Sequence, residues 1–493
     1  MATTRTIIQY TNFDDLLNVG SSDFMLANSE LTSCKNCYIY KLGRLEKVPG
    51  YTKAGTTELN SGEDIVFLHY YKNSASLTDY MIGGAEGSNG ELQLKYRTSG
   101  DWATISGYNG QYDNEDELDA ENYLDKMFIV GAETPYAIGN FEDPATISGT
   151  TWTNSASTDP DLDDMPAGKY IVRYRDLLYV LNTNIFTTNY PSRAYYCNDP
   201  VDGAITWDLD SNFISFGHDD GDEITGAAEV FDRLAVFKQF SMWQYDETRI
   251  EKVADIGCDS HRTIKKVEGN LYWYNNNGIY MWSGGLPVLI SNKVQEYIDA
   301  IDQSTRKTLF AVQDSFEYKL YIGTVTVNEA TYSNAWICYD VRRGTFYIRA
   351  TVKEAFSAVK YIEDDKERAY FGGDGYAYKF ARRVDAIYSD DGEEIDSFFV
   401  TKALDHGAPE DTKHTNHMTV FSRYAESLKC AVDINKNRSF DNVNVTRFDK
   451  NIGYADILSA GNRYQYKFYE KSSNKSWEFE GFTIATEILE HEE

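Results

Sequence analysis

Residues 269–285, GNLYWYNNNGIYMWSGG, contain two short apolar runs separated by a polar turn. The runs at 271–274 (LYWY) and 279–282 (IYMW) are rich in aromatic residues, which favour the pleated surface of a β-sheet. The intervening NNNG at 275–278 consists of residue types that supply the positive φ angles of a tight turn. The stretch therefore predicts a β-hairpin.

Similar pairs of runs recur along the chain, with starts about 35 to 50 residues apart. They include 232–245 (DRLAVFKQFSMWQY), 316–324 (FEYKLYIGT), 336–348 (WICYDVRRGTFYI) and 367–380 (ERAYFGGDGYAYKF). Four-stranded propeller blades repeat at this spacing, and we predict an all-β fold with about six blades. A stack of β-sandwiches would repeat similarly and stays open as the alternative. Helical periodicity is clear only at 292–303.

The chain divides into three predicted regions. Residues 56–385 hold the repeats and are assigned to the β-propeller. The polar run SDDGEE at 389–394 precedes segments that alternate between apolar and polar residues, so 386–493 is predicted to form a C-terminal antiparallel β-sandwich. Residues 1–55 carry few strand signals, and we expect an N-terminal arm that joins the propeller or a neighbouring molecule.

Composition narrows the class of protein. Among 493 residues, 77 are acidic and 47 basic, which gives a formal net charge of -30. This balance argues against a protein that grips nucleic acid by neutralising phosphates. Six dispersed cysteines indicate reduced thiols rather than a disulfide framework. No apolar run approaches the length of a membrane span, and residues 1–20 lack a secretory pattern, so we expect a soluble protein made in the cytoplasm.

Two acidic runs have the oxygen chemistry of calcium loops. In the first run the carboxylates alternate along the chain, and its candidate ligands are Asp159, Asp161 and Asp163. In the second run the carboxylates are closely spaced, and its candidate ligands are Asp219, Asp220 and Asp222. The alternative for both runs is a solvated acidic loop. A third run at 433–437 begins like an EF-hand but lacks the required glycine and the bidentate glutamate. No cofactor is predicted.

Other motifs are weak. The pair Cys34 and Cys37 has no second pair to complete a zinc site. His414 and His417 are expected to lie in a loop beside the C-terminal sandwich. The nucleophile elbow, the HExxH helix and the Walker loop are all absent from the sequence, and we predict no enzyme activity. Basic residues gather at 261–266, 342–343, 382–383 and 193, where they could line a pore or meet acidic loops of a neighbouring molecule. The alternative for them is solvated loop charge.

Three stretches resemble the packaged-DNA-stabilising tail nozzle proteins of short-tailed bacteriophages, a family of β-propeller tail proteins. The first is the opening segment, with ANSEL at 27–31, CKNCYI at 34–39 and GRLEKVPG at 43–50. The second comprises DRLAVF at 232–237, SMW at 241–243 and NLYWY at 270–274. The third comprises GNRYQY at 461–466 and WEFEGF at 477–482.

This resemblance implies a virion structural protein located in the phage tail or neck. The family forms a closed, sixfold ring below the portal and adaptor, guides DNA and holds it until infection. The implied partners are copies of itself, the portal or adaptor, and tail fibre or spike proteins. DNA would pass the acidic lumen without specific binding, and no membrane contact is expected.

Three other functions remain open from the residues. A host-surface carbohydrate-binding or glycosidase propeller would carry an aromatic pocket with two carboxylates suitably spaced. A tail-tip, collar or ring protein of another phage type would show the same pattern of short aromatic strands. A propeller scaffold in a cell would be a monomer.

Overall fold

The computed structural model describes residues 5–22, 25–133, 141–218, 220–363, 365–423, 428–435, 440–443, 445–449 and 451–489. The predicted all-β class is confirmed. Helical structure within these ranges consists of one short α-helix, α1 (Gln295–Asp299), and 3₁₀ turns at Pro160–Leu162, His261–Thr263, Ser291–Val294 and Arg383–Asp385. The helix predicted at 292–303 is thus shorter than its periodicity indicated. None of the helices in the described ranges has the length and hydropathy needed to cross a bilayer.

The N-terminal region forms six short strands. They are β1 (Arg5–Tyr10), β2 (Leu16–Leu17), β3 (Glu30–Lys35), β4 (Cys37–Tyr38), β5 (Leu45–Lys47) and β6 (Tyr51–Lys53).

Five separate four-stranded antiparallel sheets follow, each built from consecutive strands. Blade one contains β7 (Ile65–Asn73), β8 (Thr78–Ala85), β9 (Gln93–Arg97) and β10 (Ala103–Thr104). Blade two contains β11 (Asp116–Tyr123), β12 (Lys126–Glu133), β13 (Ala145–Ser148) and β14 (Thr151–Thr153). Blade three contains β15 (Ala167–Tyr174), β16 (Leu177–Ile185), β17 (Thr188–Tyr196) and β18 (Phe213–Ser215).

Blade four contains β19 (Ile224–Val230), β20 (Arg233–Lys238), β21 (Met242–Tyr245) and β22 (Ile250–Ala254). Blade five contains β23 (Lys265–Val267), β24 (Asn270–Asn275), β25 (Gly278–Trp282) and β26 (Val288–Leu289), so the hairpin predicted at 269–285 is present as β24 and β25. Blade six contains β27 (Phe310–Asp314), β28 (Glu317–Val327), β29 (Ala330–Asp340) and β30 (Thr345–Ala350).

The seventh blade combines both ends of the propeller. Its first three strands are β31 (Ser357–Glu363), β32 (Lys366–Gly372) and β33 (Ala377–Phe380), and β6 from the N-terminal region pairs with β33 as the fourth. The described residues therefore form a propeller of seven blades, one more than the repeat spacing indicated. The ring closes because β31, the inner strand of blade seven, packs against β7, the inner strand of blade one.

The C-terminal region adds nine strands. They are β34 (Ser389–Asp390), β35 (Glu393–Thr401), β36 (Thr412–Arg423), β37 (Lys429–Ile434), β38 (Asp441–Val443), β39 (Val445–Asp449), β40 (Ile452–Gly461), β41 (Tyr464–Ser472) and β42 (Glu478–Leu489). His414 and His417 lie on β36 rather than in the expected loop, because the strand continues through a bulge between Thr415 and His417.

Two sheets of the C-terminal region form a sandwich that incorporates N-terminal strands. One sheet runs β3–β35–β41–β37–β38, and the other runs β4–β5–β42–β36–β40–β39, with β1 also pairing β42. Aromatic side chains fill the space between the sheets: the ring of Phe399 lies 5.1 Å from that of Phe468 and 4.8 Å from that of Phe479. The N-terminal region thus pairs with both larger parts of its own chain.

The propeller and the sandwich share one continuous sheet. Strand β30 of blade six pairs with β3, and β3 pairs with β35 of the sandwich. At this junction the buried Arg349 side chain pairs with the Asp390 carboxylate. The Oδ1 atom of Asn36 accepts the Ala350 backbone N–H at 2.8 Å. These bonds hold the two parts as one block.

Candidate functional site

A cleft of about 630 Å³ lies on the propeller face at which the inner strands begin, over blades three and four. Its walls come from the start of β15, from β16 and β17, and from the loop that leads into β19. Cavities of this size are typical of small-molecule sites in proteins. The side chains that decide its chemistry are Phe141, Lys169, Asn182, Tyr190, Arg193 and Glu223.

Lys169 brings a buried ammonium group to the cleft. Its side chain is 6% exposed, and its Nζ lies 3.4 Å from Oε2 of Glu223. Charge-assisted N–H···O bonds usually measure about 2.7–2.9 Å, so this contact is long. A lysine ammonium has three donors, and this contact engages one of them. The group can therefore take further acceptors from the cleft.

A bulge in β16 directs Asn182 toward the same wall. Its φ is 52°, in the left-handed region that Asn tolerates better than most residues. The register between β16 and β17 shifts at this point. The Asn182 Nδ2 donates to Ile224 O at 3.0 Å and to Glu223 Oε2 at 3.3 Å. Bulges often re-aim a side chain beside a functional site.

Arg193, on β17, is held in a fixed position in the wall of the same cleft. Its guanidinium carbon lies 4.1 Å from the centre of the Tyr190 ring and 4.4 Å from that of Phe213. One Nη atom donates to the Tyr195 hydroxyl at 3.0 Å. A guanidinium has five N–H donors in a planar fork, so this contact leaves others for a bound carboxylate.

The acidic run beside the cleft stabilises a turn. Both carboxylate oxygens of Asp220 accept from Nζ of Lys238, at 2.5 and 2.7 Å. Burial opposes the negative charge of Asp220, but the Lys238 hydrogen bond outweighs it and lowers the pKa. Asp222 accepts backbone N–H bonds from Gln239 at 2.9 Å and Phe240 at 3.2 Å. Asp219 lies outside the described residues.

In the other acidic run predicted to bind calcium, at 159–163, a lysine ammonium group contacts the carboxylates. Nζ of Lys126 lies 2.6 Å from both Asp159 and Asp161. Thr146 also donates to Asp159 at 2.6 Å, and the Ile205 backbone N–H donates to Asp161 at 2.9 Å. A protonated amine thus stands where a metal would bind. The remaining candidate, Asp163, caps the turn Pro160–Leu162 through its backbone N–H.

Within the ranges that the structure describes, no group of three or more His, Cys, Asp or Glu side chains has the geometry to hold a metal ion. The candidate calcium ligands instead make the lysine and backbone contacts described above.

The basic run at 261–266 lies in the central channel of the propeller. Nε2 of His261 in the turn before blade five lies 3.0 Å from Asp119 in blade two. Burial would raise the pKa of Asp119, but His261 outweighs it and lowers that pKa. Arg262 donates to the carbonyl oxygens of Phe356, before blade seven, and Val66, in blade one. These bonds tie opposite blades together across the channel.

The remaining basic residues pair with acids or aromatic rings. Arg343 lies 2.6 Å from Asp340. Arg383 lies 2.8 Å from both Glu46 and Glu478, and so connects the propeller end to the sandwich. These pairs lie within one chain, so contact with acidic loops of a neighbouring molecule stays a prediction. The residues at 261–266 line the propeller channel.

The cysteines and the buried histidine of the sandwich act as core residues. All six cysteines are free thiols in buried positions. Cys34 donates to the Cys37 carbonyl oxygen at 3.3 Å. His406 forms hydrogen bonds with Tyr10 at 3.0 Å and Tyr466 at 3.1 Å. Burial lowers the pKa of His406 to about 4, so the ring is neutral near pH 7.

No protein-family model matches the chain, and no curated protein matches it. Solved structures are similar at low TM-score. The extracellular domain of a protein described as a hybrid two-component system of B. thetaiotaomicron has a TM-score of 0.38 and 8% identity, over 77% of this chain and 44% of that one. This chain therefore spans under half the length of that protein.

Two further structures are of smaller proteins. A six-bladed fucose-recognising lectin of Aleuria aurantia has a TM-score of 0.30 and 13% identity, over 59% of this chain and 96% of that one. A glycoside hydrolase has a TM-score of 0.28 and 11% identity, over 88% and 100%. Similarity at this level adds nothing to the assignment of function.

The cleft combines two residues that sequence analysis identified with others that it missed. Arg193 belonged to the predicted basic set and Asp222 to the candidate calcium ligands, whereas Lys169 and Asn182 were not predicted. No local motif marks them, because they meet through the pairing of β15, β16 and the loop before β19.

Proposed function

We propose that this protein is a non-catalytic structural component of the virion of a short-tailed phage, positioned in the tail or neck as a closed ring of about six copies. The sequence resemblance motivates the proposal. The observation that carries it is the continuous sheet from blade six through β3 into the sandwich. A part that transmits force between neighbours needs such a rigid junction, and the two parts cannot rotate without breaking its hydrogen bonds.

Side chains cross the central channel of the propeller, which supports a DNA lumen formed between copies of the protein rather than through one copy. His261 and Arg262 bridge blades at the centre of the propeller, so DNA has no route through it. DNA would pass along the axis of the ring, where the net charge of -30 per copy disfavours adhesion. The portal or adaptor and the fibre or spike proteins would contact the two ends. The alternative within this class is a tail-tip, collar or ring protein of another phage type, for which a rigid subunit would be equally suitable.

An apolar patch at the turns of blades four and five supports contact between copies. The Phe231 ring packs 5.8 Å from the ring of Trp282 yet stays 42% exposed. Leu286, in the loop after β25, is 75% exposed, and Val288, the first residue of β26, is 51% exposed. Exposed apolar patches on soluble proteins often mark interaction surfaces.

Introduction of negative charge into this apolar patch tests the assembly. We expect the double variant Phe231→Asp, Leu286→Asp to sediment as a monomer at concentrations where the wild type forms a ring. Leu77→Asp, in the turn between β7 and β8 of blade one, is the matched control and should leave the ring intact. Equal sedimentation of wild type and double variant, with both folded, would exclude this patch as the ring interface.

A second function, carbohydrate binding at the host surface, is supported by the cleft over blades three and four. Phe141 and Tyr190 offer apolar ring surface, while amide groups nearby can both donate to and accept from hydroxyls. Cleavage is less well supported, because Asp222 is engaged by backbone N–H groups and Glu223 by Lys169 and Asn182. Binding of any saccharide by the purified protein is the test.

A further inference from the structure

We propose that the cleft over blades three and four binds an acidic saccharide, whose carboxylate is held by Lys169 and Arg193. This inference rests on the second function proposed above and names its ligand class. It does not depend on ring formation.

Lys169 is the first part of the argument. A lysine with 6% of its side chain exposed normally has close acidic partners, because a buried ammonium loses its hydration. Among the described residues, the carboxylate within 4 Å of the Lys169 ammonium is that of Glu223, at 3.4 Å, and Glu223 also accepts from Asn182. A carboxylate in the cleft would complete the coordination of the ammonium group.

Arg193 supplies a second cation whose position is already set. Its guanidinium lies between the rings of Tyr190 and Phe213, so binding would cost little side-chain entropy. A fixed planar fork matches the two oxygens of a carboxylate. Lys169 and Arg193 thus place two cations in the wall of one cleft, in a chain whose net charge is -30.

The rest of the lining suits a hydroxyl-rich ring. Asn189 and Ser192 present groups that donate and accept, as sugar hydroxyls do. Two turns beside the cleft carry exposed aromatic side chains, Phe186 (83% exposed) and Phe240 (66% exposed). Their rings offer apolar surface for the C–H face of a sugar. The volume of about 630 Å³ accommodates a short oligosaccharide.

The test is a binding panel of galacturonate, glucuronate and sialic acid oligosaccharides, each paired with its methyl ester. Isothermal titration calorimetry should give Kd values below about 1 mM for at least one acid, and at least about tenfold weaker binding for its ester. Lys169→Gln and Arg193→Gln should each weaken binding of the acid at least tenfold. Arg193→Lys, which keeps the charge without the fork, should bind between wild type and Arg193→Gln.

Lys252→Gln, on the outer strand of blade four, is the matched control and should bind like the wild type. Melting curves verify that each variant is folded. Equal binding of acid and ester, or wild-type affinity in Lys169→Gln, would overturn the acidic ligand class while leaving carbohydrate binding in place. Failure of the whole panel to bind would overturn the acidic ligand class. Failure of neutral oligosaccharides to bind as well would overturn carbohydrate binding, and neither result would affect the ring proposal.

Discussion

At the residue scale, the acidic runs show why spacing alone misleads about metal sites. The alternation of Asp159, Asp161 and Asp163 has the pattern of a cation loop, and the structure supplies a cation to the first two. That cation is Lys126, which comes from β12 in blade two, far from the loop in sequence. A ligand pattern can be recognised in a sequence, whereas the identity of its partner depends on tertiary pairing.

Replacing this lysine should destabilise the protein. Lys126→Ala leaves two partly buried carboxylates facing each other without their cation, and we expect a loss of about 2 kcal/mol in the free energy of unfolding. Urea denaturation measures it, with the exposed Lys366→Ala as control. Calcium at about 1 mM should leave the melting temperature of the wild type unchanged. A rise in melting temperature with calcium would contradict the assignment.

A buried carboxylate predicts a pH dependence of stability. Burial raises the pKa of Glu121 to about 7 from the ordinary value of 4.5. Between these two values the folded state keeps a proton that the unfolded state releases, so stability falls as pH rises through that window. Glu121→Gln removes this fall and should be more stable than the wild type at pH 8, by on the order of 1 kcal/mol.

Urea denaturation at pH 5 and pH 8 measures the free energy of unfolding of Glu121→Gln and of the wild type. The surface variant Glu115→Gln should follow the wild type at both values. A stability difference between Glu121→Gln and wild type that is the same at pH 5 and pH 8 would show that Glu121 does not titrate in this range.

At the element scale, the hairpins could be predicted from the sequence, whereas the closure of the propeller by its seventh blade could not. The polar turn at 275–278 correctly marked the hairpin of β24 and β25, and Gly278 has the expected positive φ, 147°. The seventh blade was hidden because its outer strand, β6, lies more than 300 residues before its neighbour β33. The strands β1 to β6 are short, so their two-residue alternation gives little signal.

The closing strand should be important for stability. Tyr51 of β6 is fully buried, with its ring 5.0 Å from that of Phe371 and 5.3 Å from that of Tyr378. We expect Tyr51→Ala to cost about 3 to 5 kcal/mol through the cavity it creates. Tyr51→Phe loses only the hydrogen bond from the Lys353 backbone N–H and should cost about 1 kcal/mol.

Chemical denaturation of the two Tyr51 variants distinguishes packing from the hydrogen bond. If Tyr51→Ala were as stable as the wild type, β6 would not contribute to closure of the ring of blades.

At the scale of the whole molecule, the all-β class and the propeller followed from the repeats, whereas the union of propeller and sandwich did not. That union depends on β3, whose sequence ELTSCK has one apolar residue, Leu31, apart from its cysteine. Buried pairs such as Arg349 with Asp390 complete the junction, and their partners come from distant segments. The resulting block has the rigidity that a ring subunit requires.

The most direct test of the central claim is the native mass of the purified full-length protein, recorded alone and with phage portal protein. The account predicts one dominant closed assembly of about six copies of the 56.1 kDa chain, which binds the portal as a unit. A protein that stays monomeric at all concentrations and does not associate with the portal would contradict it.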